Sequence, residues 1–133
     1  MGTPAEVPDD IVERIRALCL ELPEVTTRVD LSLSPARSTA YSFDVRRRSF
    51  CLLVASASGV GAGSRVVPLL VLRARPEERR ALLAAGRPFV ASRAGRDRVT
   101  VLLGDDTDWV EIRELVTESY RILAPKKLGA LLD

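Results

Sequence analysis

The stretch that decides the fold is DDTDWVEIRELVTESYRILAPKKL, residues 105–128. Its acidic opening predicts a helix capped by Asp108, because an aspartate side chain accepts hydrogen bonds from the first free amides of a helix. Glu111 stands three residues later, as in a capping box. Apolar side chains recur along one stripe, and the Ala-Pro-Lys-Lys segment at 124–127 ends the helix. We therefore expect an amphipathic helix that packs onto the sheet through Trp109.

Two further helices are predicted outside this stretch. Near the start of the chain, apolar residues recur at helical spacing from Ile11 to Leu22. Pro23 ends that helix because proline disfavours the helical conformation in the residue before it. A shorter helix begins at Pro76 and ends at Gly86, the usual positions of proline and glycine at helix ends.

Between the terminal helices, apolar and polar residues alternate, which is typical of antiparallel strands with one buried face. Pro68 lies in the fourth of these segments and favours an edge strand or a bulge. Turns are predicted at 34–38 and, with a basic composition, at 46–48. The order of elements predicts an α+β two-layer domain, with an antiparallel sheet and both terminal helices packed on one face. The predicted strands are 29–33, 41–45, 49–54, 66–73, 89–91 and 98–103.

Length and composition favour one soluble globular domain. The chain has 133 residues, of which 47% are hydrophobic and 29% are charged, enough for a single core. We expect one domain over residues 1–133, with an ordered core over about 8–128. The sequence has neither a recognisable signal peptide nor an apolar run of about 20 residues. It therefore predicts a cytoplasmic protein without a membrane partner.

The side chains available disfavour enzymatic chemistry. The chain has no histidine, which removes the commonest general base and the commonest metal ligand. Cys19 and Cys51 form no Cys-x-x-Cys motif and lie in apolar patterns, so two buried, reduced thiols are expected. No nucleophile has a visible base. We therefore predict a protein that is not an enzyme and that holds no cofactor and no metal.

Six short motifs follow one another along the chain: LPEVT at 22–26, YSF at 41–43, RPEERRALL at 75–83, DWVEI at 108–112, SY at 119–120 and APKKL at 124–128. In this order they resemble the YjbR/MmcQ-like family of small bacterial proteins, most of which have no established activity. The resemblance implies a CyaY-like fold, as in bacterial frataxin, with two helices flanking an antiparallel sheet. This arrangement is also called a double-wing DNA-binding architecture.

Basic residues on predicted turns are the first candidate site. Arginine side chains pair well with phosphate oxygens, and two arginine-bearing wings could straddle a duplex. The net charge of only +2 predicts that such DNA binding is weak. The alternative is that these are solvated turn residues, with the two lysines complementing the negative end of the last helix. The candidate residues are Arg46, Arg47, Arg48, Arg93, Arg96, Arg98, Lys126 and Lys127.

Other functions stay open beside DNA binding by this non-enzymatic module. The run from Val66 to Leu72 is more hydrophobic than a one-sided sheet requires, which favours a protein partner or a homodimer through the sheet surface. The likeness to frataxin raises iron binding, which ranks below the other two. Asp105, Asp106 and Asp108 offer oxygens to a hard cation, but their spacing also suits a turn and a helix cap.

Overall fold

The computed structural model describes residues 6–30, 39–58, 65–92 and 95–132. The predicted turn at 34–38, the end of the first predicted strand at 31–33 and Arg93 lie outside the described residues. In chain order the elements are α1 (Asp9–Leu20), β1 (Thr26–Asp30), β2 (Ala40–Val45), β3 (Arg48–Ser58), β4 (Arg65–Arg73), α2 (Pro76–Ala85), β5 (Phe89–Ala91), β6 (Arg98–Leu102), α3 (Trp109–Leu123), α4 (Lys126–Gly129) and a final 3-10 turn (Ala130–Leu132).

The described strands form one antiparallel sheet in the order β1-β2-β3-β4-β6-β5. The helix α3 packs on β3 and β4, and α1 packs on α3 and β3. The predicted α+β architecture is therefore confirmed. Phe50 and Tyr120 meet edge to face between α3 and the sheet, with ring centroids 5.5 Å apart. The Tyr120 hydroxyl also donates to the Pro23 carbonyl at 2.7 Å, which fixes the second half of α3 against the segment after α1.

The helix ends follow the local signals in the sequence. The carboxylate of Asp108 accepts from the amides of Val110 and Glu111 at 3.1 and 3.2 Å, which confirms the predicted cap of α3. Gly86 follows α2 with a φ of 81°, a left-handed conformation that glycine adopts without strain. The first helix ends at Leu20, two residues before the predicted end at Leu22.

Pro68 does not mark an edge strand, contrary to the prediction. Its strand, β4, is an interior strand that pairs with β3 along its length and with β6 from Leu69 to Arg73. The carbonyl of Pro68 accepts from the Leu103 amide at 3.0 Å, just beyond the end of that second ladder. The amide hydrogen that proline lacks would point to the same side, where the β6 ladder has ended. The irregular register lies instead between β2 and β3, at Phe43 and Asp44.

The two cysteines are neighbours in the core, which their separation in sequence did not indicate. Cys19 on α1 and Cys51 on β3 are both fully buried, so their predicted burial is confirmed. Burial, followed by the neighbouring Cys19 thiol, raises the pKa of Cys51 well above its ordinary value. The Cys51 thiol is therefore held in its neutral form and packs as a small apolar group.

Candidate anion-binding site

Two arginine-bearing turns lie at the same end of the sheet. The strand β2 ends at Val45, opposite Arg48 at the start of β3, and β4 ends at Arg73, opposite Arg98 at the start of β6. Because β3 and β4 are antiparallel neighbours, the end of β4 lies beside the start of β3. We call this region the hairpin end, and it comprises the turn 45–48, Arg73 and residues 95–98.

The turn between β2 and β3 carries arginine where asparagine or glycine is usual. Arg46 and Arg47 have φ values of 52° and 67°, the left-handed conformation of both central residues in a type I′ turn. This conformation costs about 1–2 kcal/mol for a residue with a β-carbon. Both side chains are exposed, as is that of Arg48. Burial of these side chains therefore does not offset the cost of the strained backbone.

Ion pairing at this turn is partial. Arg46 Nη2 lies 3.2 Å from Glu24 Oε1, and both side chains are about half exposed. Neither Arg47 nor Arg48 makes an ion pair with any residue that the structure describes. An exposed pair such as Arg46–Glu24 contributes about 0–1 kcal/mol. The turn therefore presents uncompensated positive charge to the solvent.

A second group of charges joins the end of β4 to the start of β6. Arg73 Nη1 lies 2.9 Å from Asp97 Oδ2, and Arg73 Nε donates to the Ser49 carbonyl at 2.9 Å. Arg98 Nε is buried without a hydrogen-bond partner in the described part of the chain, and it lies 3.9 Å from Asp97 Oδ1. That separation is too long for a hydrogen bond. One donor of Arg98 therefore stays unsatisfied beside a carboxylate that is already engaged.

The neighbouring charges and burial both act on the pKa of Arg73. Burial, and after it the Arg98 guanidinium, lower the pKa of Arg73, and Arg48 acts in the same direction. Asp97 offsets this effect by its charge and its hydrogen bond. Two further guanidinium groups, Arg98 and Arg48, thus act on Arg73, which is paired with the Asp97 carboxylate. An anion bound beside the exposed arginines of this end would reduce the repulsion that Arg73 experiences.

Ser119 of α3 holds the end of β4 in place. Its hydroxyl donates to the Phe50 carbonyl and accepts from the Arg73 amide, the latter at 2.8 Å. Ser119 is fully buried, and its hydroxyl supplies a hydrogen-bond partner to both backbone groups. The side chain of Arg73 is only 10% exposed. Arg73 is therefore fixed at both its backbone and its guanidinium, unlike the exposed arginines of the neighbouring turn.

The hairpin end brings together most of the predicted basic residues. Arg96 is exposed in the turn before β6, while Arg93 lies outside the described residues. Lys126 and Lys127 are exposed in α4, directly after the end of α3 that Tyr120 anchors. The sequence interpretation missed Arg73 and Ser119. The only local signal that concerned Arg73 was the alternation along β4. It places Arg73 on the same face of the sheet as two preceding apolar residues.

The acidic residues that open the α3 segment act structurally. Asp108 caps the helix, and the Thr107 hydroxyl accepts from the Gly104 amide at 2.7 Å, which closes the turn before the cap. Asp105 and Asp106 are exposed in that turn. Within the described ranges, no three aspartate, glutamate or cysteine side chains are grouped closely enough to hold a metal ion.

Comparison with known proteins places the chain in a family. No helix in the described part of the chain is long and apolar enough to cross a bilayer. No curated protein and no solved structure matched the chain. The YjbR family model matches residues 20–122. The match spans all the described strands, the hairpin end and nearly all of α3. The chain therefore belongs to the YjbR family.

Proposed function

We propose that this protein is a binding module that contacts the phosphate backbone of duplex DNA through its hairpin end. The observation that supports the proposal is the convergence of two arginine-bearing turns on the same edge of the sheet. The turn at Arg46 and Arg47 lies on one side of Arg73, and the turn with Arg96 lies on the other. Two such projections at one edge could contact phosphates on both sides of a groove, as two arms of a clamp would.

The chemistry of the residues suits phosphate rather than base recognition. A guanidinium group pairs with two phosphate oxygens at once, and most protein–DNA hydrogen bonds go to the backbone. The strained conformation of Arg46 and Arg47 is consistent with selection for side-chain chemistry over turn stability. Glu24 and Asp97 reduce the local charge. The expected affinity is therefore weak, independent of sequence and sensitive to salt.

The double substitution Arg46→Asn with Arg47→Gly tests the proposal without endangering the fold. Asparagine and glycine are the preferred residues of a type I′ turn, so the variant should be more stable than the parent protein by about 1–3 kcal/mol. It also removes two positive charges from the hairpin end. Arg16→Gln with Arg113→Gln is the matched control, because it removes two exposed arginines from α1 and α3.

Fluorescence anisotropy of a labelled duplex, titrated at about 50 and 200 mM salt, gives the readout. The parent and the helix control should bind with a similar salt dependence. For the turn variant, the slope of log affinity against log salt concentration should be shallower by the equivalent of about two phosphate contacts. The proposal is wrong if the parent shows no salt-sensitive binding at micromolar protein. It is also wrong if the helix control loses as much affinity as the stabilised turn variant.

A second candidate is a homodimer formed through the open face of the sheet, which lies away from α1 and α3. Along β4, Leu70 and Leu72 are buried against the helices, while Val67, Leu69 and Val71 alternate with them and stay partly exposed. Both faces of β4 are therefore apolar, which accounts for the continuous apolar run in the sequence. Partly exposed valine and leucine side chains in the middle of a sheet are typical of contact surfaces.

Sedimentation equilibrium over a wide concentration range tests the dimer. Val71→Lys should abolish association because it puts a charge on the open face, whereas Val110→Lys on the exposed side of α3 should not. Val110 is 71% exposed, so its substitution controls for the added charge. A parent protein that is monomeric at every concentration would rule this candidate out.

A further inference from the structure

A cleft of about 560 Å³ opens at the end of the sheet opposite the hairpin end. It lies between the first turns of α1 and α3, beside the start of β4 and the segment that follows β6. The volume falls within the range of small-molecule sites, about 300–1,000 Å³. The cleft, which we call the Trp109 cleft, is lined by Pro8, Asp10, Ile11, Arg14, Val67, Pro68, Leu103, Gly104, Asp105 and Trp109.

The charged groups of the Trp109 cleft favour a cation. Asp10 and Asp105 bring two carboxylates, and Arg14 is the one basic side chain among the described residues of the lining. The helix α3 does not offer its N-terminus to an anion, because Asp108 already accepts from its first amides. Apart from these groups the walls are apolar, which suits the hydrocarbon body of a ligand.

The tryptophan face already holds a positive charge from the protein itself. Arg14 Cζ lies 4.7 Å from the ring centroid of Trp109, within the range of a cation–π interaction. Arg14 makes no ion pair with the residues described. The contact shows that this ring face accommodates a cation, and both side chains line the cleft. An ammonium group of a ligand would take the same position, in a cleft that also contains the Asp10 and Asp105 carboxylates.

We propose that the Trp109 cleft binds a small organic cation, an amine or quaternary ammonium compound with an apolar body. The ammonium lies over Trp109, and the apolar body lies against Ile11, Pro68 and Leu103. Arg14 competes with the ligand for the aromatic face and moves aside when the ligand binds. This site is separate from the hairpin end and does not depend on the DNA proposal.

The fluorescence of Trp109 reports on the cleft directly, because the chain contains one tryptophan. Benzyltrimethylammonium serves as the probe, with benzyl alcohol and phenylacetate as neutral and anionic counterparts of similar size. We expect a saturable change in emission with the ammonium compound at millimolar concentration and a much weaker change with the other two. The fluorescence is excited at a wavelength that the probes do not absorb.

Substitutions separate a cation site from an anion site. Asp105→Asn should weaken binding of the ammonium probe by about threefold to tenfold, because it removes one carboxylate. Arg14→Gln should strengthen binding, because it frees the aromatic face. Glu13→Gln is the control, since Glu13 pairs with Arg16 on the outer side of α1. Loss of binding in Arg14→Gln, stronger binding of phenylacetate, or no saturable change would overturn the proposal.

Discussion

Replacing Ser119 with alanine should destabilise the protein far more than the loss of one hydroxyl group suggests. This side chain links α3 to two strands, because it donates to the Phe50 carbonyl and accepts from the Arg73 amide. Ser119 is fully buried, so water does not reach the two backbone groups left behind. The substitution therefore removes two hydrogen bonds and leaves both partners unsatisfied.

The expected loss is about 2–4 kcal/mol, since each of the two unsatisfied backbone groups costs about 1–2 kcal/mol, the lower part of the usual range. A domain of this size is stable by about 5–15 kcal/mol in total. The melting temperature should therefore fall by about 6–12 °C, at about 3 °C for each kcal/mol. Urea unfolding followed by circular dichroism gives the free energy of unfolding. An unchanged m-value shows that unfolding exposes the same surface area as in the parent protein.

Thr117→Ala provides the control for this experiment. Thr117 lies two residues earlier on α3, and its hydroxyl donates only to the Arg113 carbonyl of the same helix, at 2.8 Å. Its loss should change stability by no more than about 0.5 kcal/mol. If Ser119→Ala also stays within that limit, the two backbone groups find other partners. The role assigned to Ser119 in holding Arg73 would then be wrong.

Three other predictions concern the cap of α3, the ionisation of Glu78 and the burial of the two cysteines. Asp108→Ala removes the cap of α3 and should lower the free energy of unfolding by about 1 kcal/mol in urea titrations; an unchanged midpoint would contradict this. Burial and then Glu118 raise the pKa of Glu78, so its ionisation costs stability as the pH rises above the usual glutamate range. Glu78→Gln should therefore raise the melting temperature at about pH 7 but not at about pH 3, and equal gains would exclude an electrostatic cause. Cys19 and Cys51 are buried, so a thiol reagent such as Ellman's should label them only after denaturation; rapid labelling of the native protein would refute this.

The sequence predicted the elements of the fold well because their signals are local. The cap at Asp108, the stop at Gly86 and the alternation along the strands each depend on residues within one turn or one strand. The order of these elements then limited the architecture to helices on one face of an antiparallel sheet. The prediction at Pro68 was wrong because a proline in a strand indicates only that one backbone amide hydrogen is missing. Whether a neighbouring strand extends that far is not a local property.

The centre of the candidate site was not predictable in the same way. Arg73 gains its importance from Asp97 and Arg98, which reach it across a strand pairing that the sequence does not encode locally. Ser119 lies in an apolar stripe, where a small polar residue usually means only that space is tight. Its two partners come from β3 and β4 and become visible only when α3 is placed on the sheet.

The antiparallel topology separates the two proposed sites and makes them independently testable. Each strand reverses direction, so the turns that carry arginine collect at the hairpin end, while the first turns of α1 and α3 lie at the other end with Trp109. At physiological ionic strength charges are screened over about 8 Å. Arg46→Asn with Arg47→Gly should therefore leave the Trp109 response to ammonium unchanged, and Asp105→Asn should leave DNA binding nearly unchanged. A variant that impaired both activities would show that the two ends are coupled through the core, and neither site could then be treated as local.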